Sequence, residues 1–445
     1  MSGDTTANAA PEPPAGLLDR LLGAFGDVRP GEALTTLLML ANIFLILAGY
    51  YVCKTVREPL ILAGGGAEVK SYASAGQALA LMGFIPLYSW FSSRVNRSRL
   101  VFGVTLFFIV NIELFWLGAQ WGVPYLGVIF FIWVGIFNNA IVAQFWSYGN
   151  DLYRLETGQR LFPVIGIGMT LGAPLGAALA ERLFKAGVQA YTMLHITAAI
   201  LLVSLALYAL VERRELGRRH QTPPAALEKG GGFALLARTP YVRLICLLLV
   251  VLNLVNTTGG YVLDKAVVSQ AAIAAGGDGG AEEAFIGAFY GRYYFWVNVL
   301  TALIQALLVS RIVKYAGIAG VLLALPVVAM GAYGSVVAGA TFAVIQWAKT
   351  AENATDYSVM NTARQMLWLP TSREEKYKAK QAADTFVVRI GDMLSAGLVF
   401  AGTTWFGLGL RGFAGANLVL VALWIAVAIL LLREYRALSA ARASG

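Results

Sequence analysis

Charge is scarce in this chain: Asp, Glu, Lys and Arg make up 13% of 445 residues, against 58% hydrophobic residues and a mean hydropathy of +0.67. A soluble domain carries about 25% charged residues, so a solvated globular protein is excluded. Cysteine and histidine are rarer still, with two of each. Cys53 and Cys246 lie in or beside apolar runs and define neither a disulfide framework nor a metal site. His195 and His220 form no catalytic cluster in the sequence. Phosphate loops, nucleophile elbows and paired carboxylates in polar loops are missing too. The expectation is no enzyme, no cofactor and no metal. The first 30 residues also lack a basic start, an apolar centre and a small-residue cleavage site, so no cleaved leader is expected.

Apolar runs fill this gap. Stretches of about 20 residues, enough to cross a hydrocarbon core of about 30 Å as helix, recur along the chain. They are continuously apolar and do not alternate, which favours helices over barrel strands. Twelve spans are expected, at 34–54, 71–91, 100–118, 123–147, 163–183, 191–212, 241–262, 285–310, 315–337, 342–366, 382–404 and 412–432. The net charge of +9 gathers in the tail, alternate loops and C-terminus, which places both termini in the cytoplasm. It is a topology signal and no indication of nucleic acid; the lipid surface is the expected partner of the basic loops.

The longest polar interruption, 213–240, reads "RRELGRRHQTPPAALEKGGGFALLARTP". It separates a tail (1–33) and an N-terminal six-helix bundle (34–212) from a C-terminal six-helix bundle (241–432) and a second tail (433–445). The expected fold is thus an all-α, major-facilitator-like membrane protein with its substrate site between the halves. "WFSSRVNRSRL" and "LVSRIVKYAG" occupy equivalent places in the two halves, a weak sign of internal repetition.

An ionised side chain at the centre of a bilayer costs about 2.5 to 3.5 kcal/mol even on lenient scales, so such residues face the bundle interior or pair. Lys54, Arg57 and Glu58 stand at i, i+3 and i+4 at the end of span one, a charged face closed by Pro59. Lys349, Glu352 and Asp356 share a face of span ten, with Lys349 and Glu352 close enough to pair, and Arg389 and Asp392 are i and i+3 in span eleven. These pairs either lock helices together or rearrange with transport. Arg292, in "FYGRYYFWVNV", has aromatics and no local carboxylate, as an anion-binding Arg would; it also suits a partner on another helix. Glu113 in span three suits an interfacial pair better than a proton relay. Asn138, Asn139 and Gln144 in span four and Asn253, Asn256, Thr257 and Thr258 in span seven add buried polar groups, for substrate or for helix adhesion. Gly259 and Gly260 suggest a broken span seven.

Three stretches carry a resemblance to a known family. "YVCKTVREPLIL" is similar to a span-one motif of basic-x-x-Lys-Asp-Thr-Leu form, with Lys54, Arg57 and Glu58 on its charged positions. "ETGQRLFPVIGIGMTLGAPLG" (156–176) is similar to Glu-Ala-Lys-Arg-Phe-Tyr-Pro-Leu-Phe-Gly, and "DYSVMNTARQMLWLPTSREEKYKAKQAADTFVVRIGD" (356–392) to a segment of Lys-Tyr-Ser, Lys-Glu-Met and Lys-x-Lys-x-Lys-Ala-x-Asp elements. The motifs resemble those of the bacterial and plastid ADP/ATP translocases, which implies nucleotide transport and places Lys380 on a transport-linked Lys. The chain departs from the pattern at Gln144 and Asn256, where the family carries Glu, at Asp356, where it carries Lys, and at Gln365. By charge, five intramembrane bases (Lys54, Arg57, Arg292, Lys349, Arg389) face five acids (Glu58, Glu113, Glu352, Asp356, Asp392). Holding a triphosphate of roughly four negative charges in such a near-neutral cleft would be unfavourable by several kcal/mol.

The expected function is a secondary active transporter of the bacterial inner membrane, a monomer moving an organic anion, a nucleotide or related metabolite, by alternating access. Exchange and proton coupling both remain open. Candidate substrate-binding residues are Lys54, Arg57, Glu58, Asn139, Gln144, Asn256, Arg292, Lys349, Glu352, Asp356, Lys380 and Arg389; Glu58, Glu352 and Asp356 are candidate proton carriers. The alternatives are a generic exporter of amphipathic compounds and a non-transporting sensor or scaffold.

Overall fold

The computed structural model describes residues 27–92, 94–215, 236, 239–372 and 375–443. Most of the tail 1–33 and of the linker 213–240, including His220, lies outside the described residues.

Every regular element described is helical. The N-terminal segment contains α1 (Ala33–Ser92), α2 (Arg97–Gln120), α3 (Leu126–Leu152), α4 (Leu155–Lys185) and α5 (Met193–Glu215). The C-terminal segment contains α6 (Pro240–Ala275), then α7 (Gly279–Ile304), which passes through a wide π-helical turn, Gln305–Val309, into α8 (Ser310–Val337). The next helix is interrupted in the same way: α9 (Phe342–Thr355), a π-helical turn at Asp356–Met360, and α10 (Asn361–Leu367). Alternating π and α turns from Glu375 to Val387, with α11 (Lys380–Ala382) between them, lead into α12 (Val388–Thr404), and α13 (Leu410–Ala443) closes the described chain.

Among the described residues, nine helices are long and apolar enough to cross a membrane, two of them 60 and 59 residues long. Both long ones break at a glycine in the left-handed region: Gly66 in α1, with φ of 72°, and Gly317 in α8, with φ of 59°. Residues with a Cβ rarely adopt this conformation, so glycine sets the place of each break. Pro59, expected to end the first charged face, lies within α1, and the helix runs on to Gly66. The Thr-Thr-Gly-Gly stretch does not break its helix either: α6 is continuous from Pro240 to Ala275. The interruption falls on Asp356–Met360 instead, where wider turns are common at functional sites.

Small residues decide which helices touch. Gly168, Gly172 and Gly176 follow one another at intervals of four on α4, facing α1. A Cβ at these positions would sit 2.2, 2.4 and 2.3 Å from the carbonyl oxygens of Leu40, Phe44 and Ala48. Only a bare backbone permits that approach, which gives van der Waals packing where lipid supplies no hydrophobic drive. The same logic joins the two segments: at Gly291 of α7 a Cβ would lie 2.7 Å from the Glu181 amide nitrogen of α4.

Candidate functional site

A cavity of about 340 Å³ lies between the two segments, within the roughly 300 to 1,000 Å³ of small-molecule sites. Its wall combines Lys54, Arg57, Lys70, Ser74, Gln77 and Phe131 of the N-terminal segment with Thr257, Asp264, Tyr290, Tyr293, Tyr294, Asn353, Tyr357, Arg389 and Asp392 of the C-terminal segment.

Glu58, fully buried, organises one side of this chamber. Its Oε1 accepts from Arg57 Nη2 at 2.9 Å and from the Tyr294 hydroxyl at 2.8 Å, and its Oε2 pairs with Lys70 Nζ at 2.6 Å. Lys70 also donates to Asp264 Oδ1 at 2.7 Å, and the Tyr290 hydroxyl donates to the same Asp264 oxygen. One ammonium from α1 therefore bridges a carboxylate of its own helix and one of α6. Beside it, Glu68 takes Lys265 Nζ at 2.8 Å and the Tyr261 hydroxyl at 2.8 Å. With the Glu283 carboxylate accepting from the Ala190 amide at 3.1 Å, these contacts fasten the segments together near the Gly66 end of the bundle.

Lys54 stands apart from this lattice. Among the described residues no carboxylate lies within ion-pair distance of it; its ammonium sits 4.3 Å from the Tyr294 ring centre and 5.0 Å from that of Tyr51. A cation over aromatic faces is attracted by their quadrupoles yet keeps its charge unneutralised. Across the chamber, Asp392 Oδ1 accepts from Asn253 Nδ2 at 2.7 Å and Thr257 Oγ1 at 2.9 Å, while Arg389 reaches Oδ2 only at 3.4 Å and its buried Nε has no hydrogen-bond partner among the described residues.

A second ionic network is dry and lies wholly in the C-terminal segment. Lys349 Nζ meets Glu352 Oε2 at 2.8 Å, the Tyr333 hydroxyl donates to Glu352 Oε1 at 2.6 Å, and Lys349 reaches the Tyr333 oxygen at 3.1 Å. All three residues are 3% exposed or less. Gly259 of α6 makes room for them, since a Cβ there would fall 1.8 Å from the Tyr333 oxygen.

The structure thus brings Lys54, Arg57 and Arg389 to the chamber wall, with Glu58 directly behind it. It sets the other expected residues elsewhere. Lys349 and Glu352 form the dry network, and Asp356 is held by Asn256 Nδ2 at 2.8 Å, off the chamber wall. Gln144 is buried against α2, donating to Val101 O at 2.9 Å, and Asn139 donates to Gly135 O of its own helix. Lys380 bonds Gln365 beside a separate small pocket shared with Arg364 and Asp384. Arg292 is exposed, without a hydrogen bond or ion pair among the described residues. The reason is periodicity: Tyr290, Tyr293 and Tyr294 form the i, i+3, i+4 face that enters the chamber, and Arg292 lies on the other side of α7. Glu113 pairs with His195 Nδ1 at 2.8 Å on a half-exposed surface.

Lys70 and Asp264 lie just outside the expected spans 71–91 and 241–262, yet both are well inside long helices. Their partnership runs across 194 positions and is not legible in the sequence.

No protein-family model matches the chain. Two relatives named ADP,ATP carrier protein 1 are each 22% identical to it. The one from Chlamydia trachomatis serovar D aligns with 91% of this chain and 89% of its own length, and the one from Chlamydia pneumoniae with 70% and 68%. Among solved structures, the nucleoside transporter NupG superimposes with a TM-score of 0.63 at 11% identity, covering 90% of this chain and 99% of that one. The POT family transporter PepTSo gives 0.63 at 11% identity, over 90% and 98%. These proteins are carriers and transporters, not enzymes. The chain is a multi-pass membrane protein with the fold of major-facilitator transporters and a distant homologue of the ADP,ATP carrier proteins.

Proposed function

We propose that the chain is a secondary transporter of the bacterial inner membrane that carries a small organic anion by alternating access of two six-helix halves. The observation that carries this reading is the chamber itself: cationic groups from both segments, Lys54 and Arg389 above all, face one cavity whose Gly66 end is fastened by ion pairs between the segments. A site at the seam between two bundles is where rocking of one against the other exposes it to alternate sides.

We read twelve crossings in this arrangement. A 60-residue helix is about 90 Å long, some three times the hydrocarbon core, and the breaks at Gly66 and Gly317 divide both long helices into two spans each. The α9–α10 run supplies one more, its polar Lys349, Glu352 and Asp356 lowering its hydropathy. With both termini cytoplasmic, the Gly66 end faces outward, and the ion pairs there hold the outer side closed. The names of the relatives favour a nucleotide or related metabolite as the substrate.

Reconstituted into proteoliposomes, the chain is expected to exchange a labelled organic anion, with the flux lost in Lys54→Gln and Arg57→Gln. Ligand-dependent thermal stabilisation without flux of any tested solute would replace transport by sensing.

A further inference from the structure

The chamber reading leaves the charge of the substrate undetermined, and the wall supplies a count. Four cations line it, Lys54, Arg57, Lys70 and Arg389, with two carboxylates, Asp264 and Asp392, and Glu58 immediately behind Arg57 and Lys70. Four positive charges against three negative leave one excess cation. Further out, Glu68 with Lys265 and Lys349 with Glu352 cancel in pairs, and Asp356 is bound to Asn256 off the wall.

The pairing shows where the excess lies. Arg57 and Lys70 are committed to Glu58 and Asp264. Asp392 Oδ1 is taken by Asn253 and Thr257, its Oδ2 meets Arg389 Nη1 only at 3.4 Å, and Arg389 Nε is a buried donor without an acceptor among the described residues. Lys54 has aromatic faces and, among the described residues, no counter-charge. Lys54, unpaired among the described residues, and Arg389, loosely paired, thus line a cavity of about 340 Å³ whose wall carries a single surplus positive charge.

Resting on the reading of this chamber as the transport site, we propose that its substrate is a small organic anion of one net negative charge, a carboxylate or singly charged phosphoester anchored by Lys54 and Arg389. A triphosphate would bring several charges against one free cation, and each further charge would have to break the Glu58 or Asp264 pairs to find a partner. The departures from the translocase pattern at Gln144 and Asn256 lie off this wall, so the inference rests on the chamber alone.

The test is thermal stabilisation of the purified full-length chain across a charge series: adenosine as neutral, nicotinate, orotate and a panel of further monocarboxylates as monoanions, and ADP and ATP as polyanions. The expected result is stabilisation by one or more monoanions, with affinity reduced about tenfold or more in Lys54→Gln and retained in Lys54→Arg and in the off-site control Arg292→Gln. Asp392→Asn, which adds a second surplus charge, is expected to move the preference towards dianions. Stronger stabilisation by ADP or ATP than by every monoanion, lost in Lys54→Gln, would overturn the single charge and keep the chamber. Failure of every monoanion to stabilise would overturn the inference as well. If no compound's effect depends on Lys54, Arg57 or Arg389, the chamber reading itself falls.

Discussion

The two ionic networks of this protein are built from the same residue types and differ in what surrounds them. Lys349, Glu352 and Tyr333 close on one another inside the C-terminal segment, with every partner in reach and almost no exposure. Glu58, Lys70 and Asp264 reach across two segments, touch the cavity, and share one ammonium between two carboxylates. A closed buried pair tolerates no rearrangement, because separating it leaves a charge in a low-dielectric interior. The shared ammonium can release one carboxylate while keeping the other, so the second network suits a junction that opens and closes.

That contrast can be broken most severely in the dry network. Lys349→Met strands the Glu352 carboxylate, and a loss of about 3 to 5 kcal/mol is expected, read as a lowered unfolding midpoint in detergent. The double variant Lys349→Met/Glu352→Gln should regain most of it, and equal losses in both would remove the pair as the cause. Gly259→Val drives a branched side chain into Tyr333 and should cost about 1 to 3 kcal/mol by overpacking, measured in the same way.

In the shared network the effect should be conformational. Asp264→Asn is expected to change stability by only about 0.6 kcal/mol, the average for hydrogen-bonded partners between membrane helices. Yet it should raise the rate at which an impermeant maleimide labels Gln77→Cys in the chamber from the Gly66 side, because the open state gains population. An unchanged rate would mean the Lys70–Asp264 pair does not hold that side shut. At the small end, Gln144→Leu removes two hydrogen bonds to α2, whereas its Oε1 is already unpaired. A change near 0.6 kcal/mol with unaltered ligand affinity is expected; weakened affinity would return Gln144 to the site.

Local spacing was readable where both partners lie on one helix. The i, i+3 relation of Lys349 and Glu352 appears as an ion pair, and Lys54 and Arg57 reach the chamber as their shared face implied. Arg292 shows the limit of the same signal. Neighbouring aromatics suggested a site, and the turn of the helix carried those rings inward and the guanidinium outward. The Thr-Thr-Gly-Gly stretch was misleading for another reason: its glycine serves a neighbour's hydroxyl rather than a break in its own backbone.

By itself the sequence determined the medium, the helical class and the candidates for buried charge, because hydropathy and the cost of an ion in hydrocarbon act residue by residue. The breaks at Gly66 and Gly317 already depend on backbone φ that composition does not specify. Only the tertiary structure decided that Lys70 joins Glu58 to Asp264, that Asp392 finds Asn253 and Thr257, and that Lys54 is left without a counter-charge among the described residues. Those pairings run between residues more than a hundred positions apart or across a break, and the contact of two helices is settled by where small side chains let their backbones meet.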